Sequence, residues 1–516
     1  PPICRVRPSL LGCVTACNES MEELQYCLST FIGKSSSDIE VSTVYVILDG
    51  CPDVSSQTKS KTFKALVSLM KLDVLPEVNI MMEGNCRVYL GWLGFIPARL
   101  YVKGPGSFQR SKRKSIATFY QILEKRIAAG QSREPTAVLH LDGDTGAGGE
   151  FGREPIVSGL ESVAIMYRIM ASRANIGAVA SQTRVFYRRK NMLTLMQSFD
   201  CNTTYVGVFG GSSLVGRSIA CFGMAVMYRY RAINFSRVKN IPSPLDVFSG
   251  TPSRSLVDLV NLDMNEDQGM TTFILRAGYE TKVSMITRFY TFSPETLAEL
   301  FGQRRRWQAG YFVGMPSQIL GFPWPHIQAT QLRFFMVVVM MVMWGNAFIL
   351  PGIVAAGLSF LGGAVWSVVV SSDVGGDSEE GDEKNWLLLE CYIAVSVWVF
   401  WLIFTSKTIS RAPKEIPRWL GFFVMGACVM SMFWVFFAAA VTVGGRVFLA
   451  LAIGLNLGVG LVLTHDLREW RHRFEEIVFY LLFLYAIQPM ITMYAVANID
   501  STLWGTRSIG KVAAVS

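Results

Sequence analysis

Asp142-Gly143-Asp144 places two carboxylates at i and i+2, where an apolar run ends in a turn. Both can face one space, and the glycine between them adds no side-chain bulk. A hard divalent cation such as magnesium or manganese takes carboxylate oxygens and keeps its other positions for water and substrate phosphates. A DG dipeptide is equally an ordinary Asx-turn. Glu266-Asp267 stands just before the apolar helical stretch 270–275. A carboxylate there is a general base if it faces a cleft, or simply the acidic complement of a helix N-terminus. With Ser293-Pro294-Glu295 read as a helix start, Gln303, Arg306 and Trp307 of the string Gln303-Arg304-Arg305-Arg306-Trp307 share one helical face. A guanidinium fork beside an aromatic plane suits a phosphate and a sugar ring. The same segment also reads as a basic amphipathic helix lying on a membrane with Trp307 as anchor. Trp504-Gly505-Thr506-Arg507 follows the last apolar segment and offers phosphate donors on a turn, or an interfacial anchor.

These groups need a frame. Short apolar runs at 10–16, 43–48, 137–141 and 176–181 read as buried strands. Between them lie helical stretches from about residue 21 and at about 58–72, 109–129 and 156–174. Strands that alternate with helices and are near-continuously apolar indicate an α/β domain with a mostly parallel sheet covered on both faces. Ligands of such sheets bind beyond the carboxyl ends of the strands, which is where Asp49, Asp142 and Asp144 stand.

The composition places a membrane behind this domain. Of 516 residues 51% are hydrophobic and 17% charged, against roughly 25% charged in an average soluble domain. A disordered or nucleic-acid-tail protein is excluded. The long apolar runs lie after residue 332, at about 332–350, 353–370, 386–406, 419–443, 446–464 and 474–497, and several reach the ~20 residues of a membrane span. Loop 373–384 is acidic, whereas 407–418 and 465–473 are basic, so the positive-inside rule puts the last two in the cytosol. That holds if 332–370 crosses once, with part of it re-entrant or lying at the surface. Net charge is +9, and the stretch 101–133, which includes Lys103 and Lys112, concentrates basic residues. It reads as a patch for anionic lipid or a diphosphate, or as a solvated helix face; without interleaved aromatics nucleic acid is the weakest partner. Ten cysteines without CxxC spacing and four histidines argue against a zinc site and fit free cytosolic thiols. The chain begins Pro1-Pro2-Ile3, as expected of a trimmed or partial sequence.

In this order the motifs resemble a processive family-2 glycosyltransferase, most closely a chitin synthase. They are Ala16-Cys17-Asn18-Glu19, Leu48-Asp49-Gly50, Asp142-Gly143-Asp144, Ala220-Cys221-Phe222-Gly223-Met224, Glu266-Asp267, Gln303-Arg304-Arg305-Arg306-Trp307, and Tyr494-Ala495-Val496-Ala497-Asn498 running into Trp504-Gly505-Thr506-Arg507. Hyaluronan and cellulose synthases share the layout with a looser Gln-x-x-Arg-Trp string. The resemblance implies a nucleotide-diphospho-sugar transferase domain of GT-A type at 1–290 and interface helices at 291–331. Transmembrane and interfacial helices would follow at 332–498, with a cytosolic tail at 499–516. It implies UDP-N-acetylglucosamine, a growing polysaccharide chain and membrane lipid as partners, Mg2+ or Mn2+ as cofactor, and a multi-pass plasma-membrane protein whose catalytic domain is cytosolic; it is compatible with a homodimer. Residue by residue, Asp49 and the Glu19 loop would hold the uridine, and Asp142 the nucleotide, with Asp144 at the metal. Asp267, beside Glu266, would deprotonate the acceptor's 4-hydroxyl. Gln303 and Trp307 would position the acceptor sugar, while Arg306 with Trp504, Thr506 and Arg507 would hold the diphosphate. Two departures stand out: Gln268 follows Glu-Asp where the family usually has arginine, and Asp142-Gly143-Asp144-Thr145 is closer to the animal type than the fungal one. Gln268 also motivates a second reading, an inactive membrane scaffold that keeps the fold.

Overall fold

A computed structural model describes residues 8–310 apart from 34–38, 52–53, 74–80, 105–110, 148–157, 204–217, 219–220, 222–223, 251–261 and 263, together with Val337, Glu476 and Ile491. The expected segments within 332–498, those three residues aside, and the whole of 499–516 lie outside the described residues, with Trp504, Thr506 and Arg507 among them. No helix among the described residues is long and apolar enough to cross a membrane.

The chain opens with β1 (Ser9–Ala16), α1 (Met21–Ser29), β2 (Glu40–Leu48), α2 (Val54–Lys59) and α3 (Lys61–Leu69). There follow β3 (Met81–Glu83), β4 (Cys86–Leu93), β5 (Ile96–Lys103), α4 (Lys112–Ala128), β6 (Ala137–Asp142) and β7 (Thr145–Ala147). Next come α5 (Gly159–Ala171), β8 (Ile176–Phe186), α6 (Met192–Thr203), β9 (Ala225–Arg229), α7 (Tyr230–Asn234) and α8 (Pro244–Ser249). The last are α9 (Glu266–Arg276), β10 (Glu280–Phe292) and α10 (Leu297–Ala309).

The strands form one sheet in the order β3-β4-β5-β2-β1-β6-β9-β8-β10-β7. Its centre is parallel as expected: β1 pairs with β2 and β6, and β2 with β5. The sheet as a whole is mixed rather than mostly parallel, because β9 runs antiparallel between β6 and β8 and because β3, β4 and β7 are antiparallel to their neighbours. The connections decide this. Helices α1 and α4 carry the chain back across the sheet and enforce parallel pairing, whereas β4 and β5 are joined by Gly94-Phe95, with Gly94 at φ +63°, a two-residue hairpin that permits only antiparallel strands. Both faces are covered. Along β2, Tyr45 and Ile47 pack into the layer of Phe119, Tyr120 and Phe273, while Val44, Val46 and Leu48 pack against Leu24, Leu28 and Leu66 on the other side, the period-two alternation of a strand buried twice.

That register sets the site. Ala16 pairs with Leu48, and Thr15 with Asp142. The chain therefore leaves β1, β2 and β6 at one edge of the sheet, delivering Glu19, Asp49, Asp142 and Asp144 to the same rim. The boundary expected at 290 falls inside β10. The helix carrying the arginine string starts at Leu297 with Thr296 as its cap, its hydroxyl accepting from the Glu299 N–H. The cap is three residues later than Ser293 because the Ser293 N–H still donates to Phe186 O and continues the sheet.

Candidate active site

Asp49, expected to face a ligand, is 6% exposed and already engaged. Its Oδ2 accepts from Lys103 Nζ at 2.8 Å and from the Ser111 N–H at 3.2 Å, and its Oδ1 accepts from the Gly50 N–H. Ser111 is the N-cap of α4, so this carboxylate joins the ends of β2 and β5 to the start of that helix. Lys112, the next residue, reaches Asp142 Oδ1 at 2.7 Å and Glu266 Oε1 at 3.2 Å. The basic stretch 101–133 thus resolves differently from the expected patch. Lys103, Lys112, Arg113 and Arg126 are buried, Arg113 donating to the Phe248 and Gly250 carbonyls and Arg126 pairing with Glu83, while Lys125 and Arg133 stay exposed.

Glu266 and Asp267 form the first turn of α9, a position that favours negative charge. Glu266 is 5% exposed and Asp267 half-buried, its Oδ1 accepting from the Gln268 N–H at 2.7 Å. Burial pushes the Glu266 carboxyl above its ordinary value against the pull of Lys112, and Asp267 adds to the rise. Burial also pulls the Lys112 ammonium down, but Asp142, Glu266 and Asp267 outweigh it and hold the group charged beyond the ordinary lysine range.

Helix α10 completes the rim. Arg304 and Arg305 are buried, at 7% and 6% exposure, which does not suit a helix laid with its arginines on a membrane surface. Arg304 Nη1 meets Asp200 Oδ2 of α6 at 2.5 Å, and its guanidinium lies 4.2 Å from the Trp307 ring centroid. Half-buried Arg306 loses solvent, which lowers its pKa, while Glu266, Asp267, Asp142 and Asp144 all lie close enough to hold it up. Gln303 and Trp307 are half-buried on the same helix. Asp144 Oδ1 accepts from Thr145 Oγ1 at 3.2 Å and Thr291 Oγ1 at 3.4 Å. Glu19 stands over the turn: its Oε2 accepts from the Cys17 N–H at 2.6 Å, and a Cβ built on Gly143 would lie 3.1 Å from its side chain. A side chain at Gly143 would press on Glu19 and on the Thr15 carbonyl, so the glycine lets the turn sit close against both. The structure brings Glu19, Asp142, Asp144, Glu266, Asp267 and Arg306 together, and places Asp49 beside them at the head of α4.

No family model matches the chain. Over 174 residues, 34% of its length, it is 25% identical to a chitin synthase of Meloidogyne artiellia, of which the match spans 8%. It is likewise 25% identical over 174 residues to the chitin synthase csmA of Aspergillus niger, spanning 10% of that protein. A third of this chain is similar to chitin synthases. It spans only a small part of the length of these curated relatives. Among solved structures, a mannosyltransferase from Pyrobaculum calidifontis in complex with GDP-Man and Mn2+ aligns over 94% of this chain and 88% of its own, at 13% identity and a TM-score of 0.34. That likeness is too distant to carry an argument.

Against the chitin synthase pattern, Gln268 in place of the usual arginine is buried at 4% and hydrogen-bonded to Asn265; positive charge reaches the acids from Lys112 and Arg306 instead. Among the described residues no group of three or more His, Cys, Asp or Glu side chains forms a metal cage. The donor set fits a hard cation held by one or two carboxylates and completed by substrate phosphate and water, and half-buried Asp144 stands at the turn after β6. Sequence reasoning missed Lys103, Lys112 and the Arg304–Asp200 pair as site residues. Lys103 ends a strand parallel to the one that delivers Asp49, and Ser111 caps α4; reading β5 as a strand would have found the first.

Proposed function

We propose that this chain is a processive, inverting glycosyltransferase. It moves N-acetylglucosamine from UDP-N-acetylglucosamine to the 4-hydroxyl of a growing β-1,4-linked chitin chain, which leaves through the helices of 332–498. The observation that supports this reading is the convergence of Arg306 with Asp142, Asp144, Glu266 and Asp267, three motifs of the chitin synthase order meeting in one place. The domain is of GT-A type, faces the cytosol and belongs to a multi-pass plasma-membrane protein.

Single-displacement inversion needs a base at the acceptor oxygen and positive charge on the leaving group. Asp267 is the base: it is the more exposed of the two adjacent acids, whereas Glu266 is buried against Lys112. Its carboxylate takes the proton of the 4-hydroxyl, the oxygen forms the new bond to the anomeric carbon, and the carbon–phosphate oxygen bond breaks with its electron pair leaving on UDP. Arg306, with Trp504, Thr506 and Arg507, holds the diphosphate; Asp49 and the Glu19 loop hold the uridine; Gln303 and Trp307 position the acceptor. Mg2+ or Mn2+ at Asp144 would draw negative charge off the departing diphosphate.

Asp267→Asn is expected to abolish polymer synthesis while UDP-N-acetylglucosamine binding, measured at equilibrium, stays within a few-fold of wild type. Retained turnover overturns the base assignment. Digestion of the radiolabelled product by chitinase and not by hyaluronidase separates chitin from a hyaluronan- or cellulose-type polymer. Failure of the wild-type chain to release UDP in the presence of manganese would favour an inactive scaffold, the reading that Gln268 motivates.

A further inference from the structure

Of the arginines of the string Gln303-Arg304-Arg305-Arg306-Trp307, only Arg306 is used by the reading above. Arg304 lies a turn before Trp307 on α10, at i and i+3, the spacing at which helical side chains meet. One side of its guanidinium is tied to Asp200 of α6 at 2.5 Å, and its centre sits 4.2 Å from the centroid of the Trp307 ring. The pair is largely withdrawn from water, with side-chain exposures of 8% for Arg304 and 17% for Asp200. A second tie runs beside it: Gln197 Nε2 of the same helix donates to Pro294 O, just ahead of α10, at 2.8 Å.

An arginine that served only to dock α10 on α6 would need its carboxylate partner and nothing more. Here the guanidinium also lies 4.2 Å from the centroid of an indole, whose two side-chain torsions must be set for the ring to present a defined face. A planar cation fixed at one end by a carboxylate is suited to this: it lies on one ring face, and the attraction between cation and ring is largest when water is excluded. A lysine satisfies the carboxylate equally well but offers a point charge and no plane.

We infer that Arg304 is a positioning residue for acceptor binding: anchored by Asp200, it covers one face of the Trp307 indole and fixes the ring, so that a sugar stacks on the opposite face. This deepens the proposed function and rests on it. The role reaches the acceptor through Trp307 alone and leaves the nucleotide side of the site untouched.

Arg304→Lys keeps the ion pair and removes the plane. With N-acetylglucosamine oligomers as acceptor, its KM is expected to rise about 3- to 30-fold, the range set by the strength of a buried cation–ring contact. The dissociation constant for UDP-N-acetylglucosamine should stay within twofold, and the melting temperature close to wild type. An unchanged acceptor KM in folded Arg304→Lys protein overturns the inference. A charge swap, Asp200→Arg with Arg304→Asp, should restore melting temperature relative to either single variant but not acceptor KM; recovery of both would reduce the pair to a helix anchor and overturn it. Labelling the chain with 5-fluorotryptophan gives a readout independent of turnover. The Trp307 resonance, assigned by its loss in Trp307→Phe, is expected to shift in Arg304→Lys, and no shift counts against the inference. If wild-type protein releases no UDP, the proposed function fails, whereas the fluorine spectrum still decides whether Arg304 holds the ring.

Discussion

Lys112 is the residue on which the acidic motifs depend. It meets Asp142 at the end of β6 and Glu266 at the start of α9, with side-chain exposures of 7%, 25% and 7% respectively. Removing one member of a buried ionic group leaves its partners uncompensated and costs about 3–5 kcal/mol; Asp142 is partly solvated, so Lys112→Met should fall towards the lower figure in chemical denaturation at neutral pH. The pH dependence has a definite sign. In the wild type the Lys112 pKa is raised by folding, so its stabilising share is complete below the ordinary lysine value and is lost only as pH climbs through the folded one. In Lys112→Met the deficit should shrink as pH falls from 7 towards 4, because burial holds Asp142 and Glu266 above the ordinary carboxyl values and, without Lys112 to oppose it, they take up protons earlier in the descent. A deficit that does not change between pH 7 and pH 4 would contradict the charge account. Lys112 was visible in the sequence as one cation in a basic stretch. What it faces depends on how α4 docks, which no local pattern records, so the sequence supplied the acids of the site but not the cation between them.

At the scale of elements, legibility followed burial. The strands covered on both faces, β1, β2, β6 and β8, are continuous apolar runs and were read in place. The β4–β5 ribbon was not, because its exposed tip, where Trp92 and Phe95 are 54% and 99% exposed, interrupts the apolar pattern. The helix expected at about 58–72 is two helices, parted at Ser60, whose hydroxyl accepts from the Phe63 N–H and caps the second. Between β6 and α4 lies a polar contact inside an aromatic layer: Tyr120 Oη and His140 Nε2 stand 2.8 Å apart, and His140 is 3% exposed. Burial first, and Lys112 second, depress the imidazole pKa to about 3. A depressed value means that stability from this group is complete above the unfolded value of about 6.5 and is lost as pH falls towards 3, by up to about 5 kcal/mol. Replacing His140 by Gln keeps a hydrogen-bonding partner for Tyr120 and removes the titration. The stability difference between pH 7 and pH 4.5 should therefore be about 3 kcal/mol smaller in His140→Gln than in wild type, read from urea unfolding at the two pH values. Equal differences would mean that the imidazole is already protonated or solvated in the fold.

The whole molecule presents a charge problem that the site alone does not solve. The chain is basic, with a net charge of +9, yet the rim where the strands end is crowded with carboxylates. Lys103 is committed to Asp49, and Lys112 is shared by Asp142 and Glu266. Arg306 lies within electrostatic reach of Asp142, Asp144, Glu266 and Asp267, so carboxylates surround the place that a diphosphate would take. A diphosphate brought against such a rim is repelled, and at a separation of about 4 Å each unmatched pair of like charges costs on the order of 4 kcal/mol near a protein surface. On the proposed function, the nucleotide sugar would draw added positive charge from a divalent cation held at Asp144 and from Arg507. Equilibrium binding of UDP-N-acetylglucosamine to the full chain should weaken at least tenfold when divalent cations are chelated, and recover on adding Mn2+ or Mg2+. In Asp144→Ala the recovery should demand a much higher cation concentration, while Arg507→Ala weakens binding at every cation concentration alike. Affinity that is indifferent to chelation in the wild type would show that the carboxylates at the rim are protonated or turned away from the nucleotide, and the assignment of Asp144 to the cation would fall with it.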